Sequence, residues 1–151
     1  VVYGETCMDT CPRVGTISFN IKQLNHGLVA AILNDYFNIA VRNECFCAHP
    51  YVEKMLELTH RIQIIEARAK NITDWHSEPW MGMVRVSFGL YNTPNDVDHF
   101  ITALQDIISN KDDYGKEYVI NSQGDYEHQT FKFSCNEYFS LSESVQEELS
   151  I

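Results

Sequence analysis

Between Arg42 and His49 the chain reads RNECFCAH, which sets an arginine, two cysteines and a histidine within eight residues. Three chemistries fit those residue types. Cys45-x-Cys47 with His49, joined by Cys7-x3-Cys11, would supply thiolates and an imidazole to a metal, although neither spacing is the usual C-x2-C knuckle. Two free cysteines at the end of a strand also serve as small apolar core residues. The third chemistry is nucleophilic: a thiolate is favoured beside cations and at helix N-termini. Cys47 stands between Arg42 and the helix start AHPYVEKML, so it has both. An extended loop would aim Cys45 and Cys47 to the same side, because side chains alternate along extended backbone. Residue types alone leave the three readings open.

The elements that must position this stretch are legible on both sides. VGTISFNI (Val14–Ile21) alternates, with Ile17, Phe19 and Ile21 on one face and Thr16, Ser18 and Asn20 on the other, the pattern of a half-buried strand. A helix follows from His26, with Asn25 as N-cap and Leu24, Leu28, Ala31 and Ile32 as its apolar stripe. NIAVR (Asn38–Arg42) reads as a short strand leading into the cysteine stretch. Met55, Leu58, Ile62, Ile65 and Ala69 recur at helical spacing, and NITDWHSEPWMG (Asn71–Gly82) reads as a loop. MVRVSFGLYN is a second clear strand, with Val84, Val86, Phe88 and Leu90 pointing one way and Arg85, Ser87 and Gly89 the other. TPNDVDHFITALQDIIS then carries Thr93 as N-cap, Pro94 at the first helical position and Asp96 closing a capping box. Val97, Phe100, Ile101, Leu104, Ile107 and Ile108 form its expected buried face.

Strand, helix, strand, helix, strand, helix implies an α+β sandwich: a small mixed or antiparallel sheet with helices packed on one face. The opposite face would carry Thr16, Ser18, Arg85 and Ser87, and an arginine there needs water or a partner. Residues 1–110 read as the domain proper, and residues 111–151 as a C-terminal extension packed on it, with one or two short strands.

The chain has 151 residues and is 44% hydrophobic, enough for one domain with a core. A formal charge of −10 argues against a nucleic-acid surface, which needs clustered Lys and Arg. No apolar run approaches the roughly 18 residues that cross a bilayer, and no signal peptide is visible. Five cysteines without a secretion signal suggest reduced thiols. The expectation is a cytoplasmic protein with neither a membrane nor a nucleic-acid partner. The chain opens on Val1 rather than Met, as a processed protein or a piece of a longer one would.

Taken in order, VGTISFNIKQLNHGLVAAILNDYFNIAVRNECFCAHPYV and MVRVSFGLYNTPNDVDHFITALQDI resemble the C-terminal small domain of class V aminotransferases. These are fold-type I enzymes that use pyridoxal 5′-phosphate (PLP), and the cysteine desulfurase and selenocysteine lyase branch is the nearest match. By position, the resemblance implies that Cys47 is the cysteine that takes sulfur from L-cysteine as a persulfide. It implies that Arg85 pairs with the α-carboxylate of an amino-acid substrate and that Arg42 is a second active-site arginine. Two features depart from the desulfurase pattern. Asn43, Glu44, Cys45 and Phe46 stand where a Gly-His-His-like run is common, and residues 50–82 are longer than in compact members. The cofactor's Schiff-base lysine, the carboxylate for its ring nitrogen and its phosphate cup belong to a large domain in that family. Lys22, Lys54, Lys70, Lys111, Lys116 and Lys132 lack the His-Lys setting. The resemblance therefore implies a domain that is catalytically incomplete alone, within a larger enzyme expected to be a homodimer. The alternative is a non-catalytic interaction module, or one binding thiols or a metal, on the same fold.

Overall fold

The computed structural model of the chain describes residues 1–7, 9–56 and 81–132. At its centre β1 (Thr16–Phe19) pairs antiparallel with β2 (Val84–Ser87). The register sets Ile17 opposite Val86 and Phe19 opposite Val84, so the apolar residues of both strands fall on one face. Single bridges extend this ladder on each side, Val2 to Phe19 and Arg42 to Arg85.

That apolar face is covered by α1 (His26–Phe37) and α3 (Pro94–Ser109). Helix α1 starts where Asn25 accepts the Gly27 N–H at 2.7 Å, and it ends at Asn38, which takes the left-handed conformation at φ 53°. Helix α3 starts at its capping box, where the Thr93 N–H and hydroxyl both donate to the Asp96 carboxylate, at 2.7 and 3.1 Å. Val29, Ile32, Leu33, Val84, Ala103 and Ile107 are buried between these layers, and the Phe19 and Phe88 rings each meet Phe100 edge-on. The fold class is thus the expected α+β arrangement of helices on a small antiparallel sheet.

A second, smaller core gathers Tyr3, Cys45, Val52, Leu56, Met81 and Met83. It is closed by α2, helical over the described residues 49–56. The remainder of the expected 55–69 helix, and residues 71–80 of the loop after it, lie outside the described residues. After α3 the chain forms α4 (Lys111–Glu117) and a hairpin of β3 (Tyr118–Ile120) and β4 (Tyr126–His128). Tyr118 is buried in the main core, and its hydroxyl donates to Asp35 of α1 at 2.9 Å.

Three local expectations need correction. Asn38–Arg42 is not a strand but a single bridge at Arg42, because left-handed backbone at Asn38 and Glu44 bends the chain away on both sides. β2 ends at Ser87, and Leu90 lies fully in solvent in the turn toward Thr93 rather than on the core face. Ile101 and Ile108 are exposed: helix α3 aims Phe100, Ala103 and Ile107 inward, which leaves these two on its flank.

Candidate active site

Arg42 and Arg85 are joined backbone to backbone. The Arg42 N–H donates to the Arg85 carbonyl at 3.1 Å, and the Arg85 N–H donates back at 2.7 Å. Opposed residues in such a pair have Cα atoms about 5.5 Å apart and side chains on the same face. Two guanidinium groups therefore leave one side of the sheet together. Arg42 is exposed, whereas Arg85 is half-buried with its guanidinium 5.0 Å from the centre of the Phe46 ring. The Arg85 Nε–H is buried and unpaired. Among the described residues neither arginine makes an ion pair.

Directly after Arg42 the backbone coils. Glu44, Phe46 and Cys47 have φ of 72°, 53° and 61°. Left-handed backbone costs an L-residue about 1–2 kcal/mol, and such strain concentrates at functional sites. The coil overturns the expectation that Cys45 and Cys47 point alike. Cys45 turns into the smaller core, while Cys47 is exposed. Burial pushes the Cys45 thiol above its ordinary value, and the negative charges of Glu44 and Glu53 add to that. Cys47 sits one residue before Ala48, whose carbonyl accepts the Val52 N–H at 3.0 Å and so opens α2.

Arg42, Cys47 and His26 line a common cleft of about 700 Å³. Gln123 and Tyr126, from the C-terminal hairpin, close its far side. Arg85 is not in its wall; it stands behind Phe46. The sequence reading brought Cys47 and Arg42 to this place but missed His26 and Phe46. A titratable ring at the first position of a capped helix was the available signal for His26. Phe46 had none, since its position under Arg85 depends on the positive φ of its own loop.

His26 is held by a tight backbone fit. Its Nε2 lies 3.1 Å from the Met81 carbonyl, an acceptor, so the ring proton sits on Nε2 and Nδ1 is a bare, buried lone pair. Burial lowers its pKa; the Met81 carbonyl and Glu44 oppose that shift less strongly. The ring packs on Gly82, at φ 147°, where a Cβ would lie 2.4 Å from Nε2.

A PLP site needs an amine for the aldehyde and a cradle for the phosphate. Among the described residues the cleft wall contains no lysine. Lys116 is paired with Asp113 at 2.7 Å, Lys132 with Glu127 at 3.3 Å, and Lys111 bonds Gln23. The Gly27 N–H at the start of α1, facing the cleft, is already taken by Asn25. The described residues therefore do not by themselves fit the cofactor. Nor do they fit a metal: Cys45 and Cys47 face apart, and no group of three His, Cys, Asp or Glu side chains among the described residues is placed to hold one.

The chain belongs to the class V aminotransferases: the family model described as Aminotransferase class-V matches residues 2–100. Among curated proteins the chain is similar to the molybdenum cofactor sulfurase of Bombyx mori, with 31% identity over 104 residues. That match covers 64% of this chain and 13% of the sulfurase, so the chain spans a small part of that relative's length. No helix among the described residues is long and apolar enough to cross a membrane.

Proposed function

We propose that the chain is the small domain of a PLP-dependent enzyme that moves sulfur from an amino acid, with Cys47 as the sulfur-accepting thiol. The observation that carries this reading is one cleft holding an exposed cysteine on strained backbone beside an arginine that makes no ion pair among the described residues. Membership of the class V family supports PLP as the cofactor. The relative's name, a sulfurase, favours sulfur transfer over amino transfer. PLP, bound by a large domain, supplies the electron sink that such chemistry needs.

This chain's own residues do the rest. Arg42 binds the substrate α-carboxylate from the cleft wall, and Arg85 joins it when Phe46 moves aside, since a planar guanidinium grips a carboxylate through two parallel hydrogen bonds. Before substrate arrives the Arg85 guanidinium rests 5.0 Å from the centre of the Phe46 ring, in a cation–π contact. Cys47 attacks the substrate sulfur as a thiolate: the S–S bond of a persulfide forms as the substrate C–S bond breaks, and the electron pair of that bond leaves with the substrate carbon, which takes up a proton and departs as alanine. The hairpin residues Gln123 and Tyr126 narrow the approach to that sulfur. A cytoplasmic, homodimeric enzyme completes this reading; the odd number of cysteines supports the compartment and membership of the class V family supports the dimer.

The test uses the full-length enzyme with L-cysteine. Alanine should form, and mass mapping should find one added sulfur on Cys47. Cys47→Ser should abolish both while keeping the PLP absorbance. If Cys47→Ser retains full alanine production, Cys47 is not the sulfur acceptor.

A further inference from the structure

Cys7 and Cys11 take no part in the cleft, yet both thiols are exposed and free. The Cys11 N–H donates to the Cys7 carbonyl at 3.3 Å, and the Thr10 hydroxyl donates to the same carbonyl at 2.9 Å. A turn closed by a bond from residue i+4 back to residue i brings its ends to about one helical pitch, ~5–6 Å. That separation lies within the roughly 4.4–6.8 Å between the Cα atoms of a disulfide. The turn is held at both ends. The Glu5 carboxylate accepts the Thr6 and Cys7 N–H groups at 2.9 Å, and Arg13 reaches back to the carbonyls of Glu5 and Tyr3.

We propose that Cys7 and Cys11 form a second thiol site, which reacts with the disulfides of small thiols and closes an intramolecular Cys7–Cys11 disulfide. This stands independently of Cys47 and of the sulfur-transfer reading. Cys7 is the attacking group. Hydrogen bonding from Asp9 first and then from Thr10 holds its pKa below the ordinary thiol value. The Cys11 sulfur has a single weak contact, with the Pro12 carbonyl at 3.7 Å.

With glutathione disulfide as reactant, the Cys7 thiolate attacks one sulfur, forms a mixed disulfide and expels one glutathione thiolate. Cys11 then loses its proton to water and attacks the Cys7 sulfur. The second glutathione thiolate leaves as the Cys7–Cys11 bond forms. The two protein thiols are oxidised, and the one glutathione disulfide is reduced to two glutathione molecules. Exchange of this kind needs an accessible thiol, which the exposed Cys7 offers and the buried Cys45 does not.

The experiment treats the reduced chain with glutathione disulfide, blocks remaining thiols, and maps the tryptic peptide that ends at Arg13, which carries both cysteines. The expected product is that peptide lighter by two hydrogens, with no glutathione retained. In Cys11→Ser the second step is blocked, so a glutathione adduct should persist on Cys7. In Cys7→Ser, Cys11 should acquire glutathione several-fold more slowly than Cys7 does in Cys11→Ser. Stable adducts on both cysteines of the wild-type chain would overturn the proposal. So would a crosslink from either residue to Cys45, Cys47 or Cys135, or equal rates in the two variants. Both positions are exposed, so neither substitution threatens the fold.

Discussion

Arg42 and Arg85 exchange both backbone hydrogen bonds across an antiparallel bridge, so two positive side chains rise from adjacent points on one sheet face. Like charges directly opposite are destabilising by a few tenths of a kcal/mol to about 1 kcal/mol. The fold places them together with no carboxylate of the described residues between them, and leaves the Arg85 Nε–H buried and unpaired. A bound carboxylate would relieve both.

Arg85→Met keeps the aliphatic stem and removes the charge. It relieves the opposition to Arg42 and deletes an unpaired buried donor. It also loses the contact with Phe46, worth about 0.5–1 kcal/mol. The expected net change in folding stability is within about 1 kcal/mol, measured by denaturant unfolding. In the full-length enzyme the same change should lower kcat/KM for an α-amino acid by an amount equivalent to about 1.5–3 kcal/mol, the worth of a charge-assisted hydrogen bond. Unaltered kinetics with an intact fold would remove Arg85 from the site.

Cys47 should react with iodoacetamide in the native chain while Cys45 stays protected. The difference has two sources: Cys45 is only 6% exposed, and its thiol is pushed up by burial and then by Glu44 and Glu53. Cys45 should label only when denaturant opens the smaller core. Peptide mapping after a timed pulse checks this. Labelling of Cys45 at the rate of Cys47 without denaturant would contradict the packing.

Much of this arrangement was readable from local pattern. Asn25 and Thr93 announce their helices because capping chemistry involves near neighbours in sequence. Ile17, Phe19, Val84 and Val86 announce the sheet face because the pleat has a period of two. Pattern failed where backbone left the regular regions or where contacts were distant. Alternation predicts Cys45 and Cys47 on one side, and positive φ at Phe46 and Cys47 cancels it. Tyr126 reaches the cleft, and Met81 reaches His26, through contacts that no local period encodes. Ile101 and Ile108 satisfy a helical stripe but lie at its edge, where burial depends on what packs beside the helix.

Gly82→Ala should be destabilising by about 1–3 kcal/mol. At φ 147° an alanine is strained, and its methyl would lie 2.4 Å from Nε2 and 2.6 Å from Cδ2 of His26. The ring cannot simply retreat, because it is fixed to the Met81 carbonyl. Denaturant midpoints measure the loss. The double variant Gly82→Ala/His26→Ala should recover part of it, since deleting the ring removes the clash and leaves only the backbone strain. A double variant no more stable than the sum of its singles would place the strain elsewhere.

His26 should make folding stability depend on pH in a defined direction. Its ordinary pKa of 6.5 is lowered in the folded chain, first by burial. Protonation would add an N–H at Nδ1, a buried position with no acceptor in reach. In the unfolded chain the ring is solvated and takes its proton near the ordinary value. As pH falls through 6.5, the unfolded state therefore binds a proton that the folded state resists, and stability declines. The contribution is complete above the unfolded pKa, is lost progressively as pH falls toward the folded pKa, and levels off below it. The measurement is denaturant unfolding of the wild-type chain and His26→Gln at intervals between about pH 8 and pH 5. Every other histidine is common to both proteins, so the difference curve isolates His26. The wild type should lose stability relative to His26→Gln as the solution is acidified. A flat difference would mean that His26 titrates alike in both states, and a rising one would mean that the folded chain prefers the imidazolium.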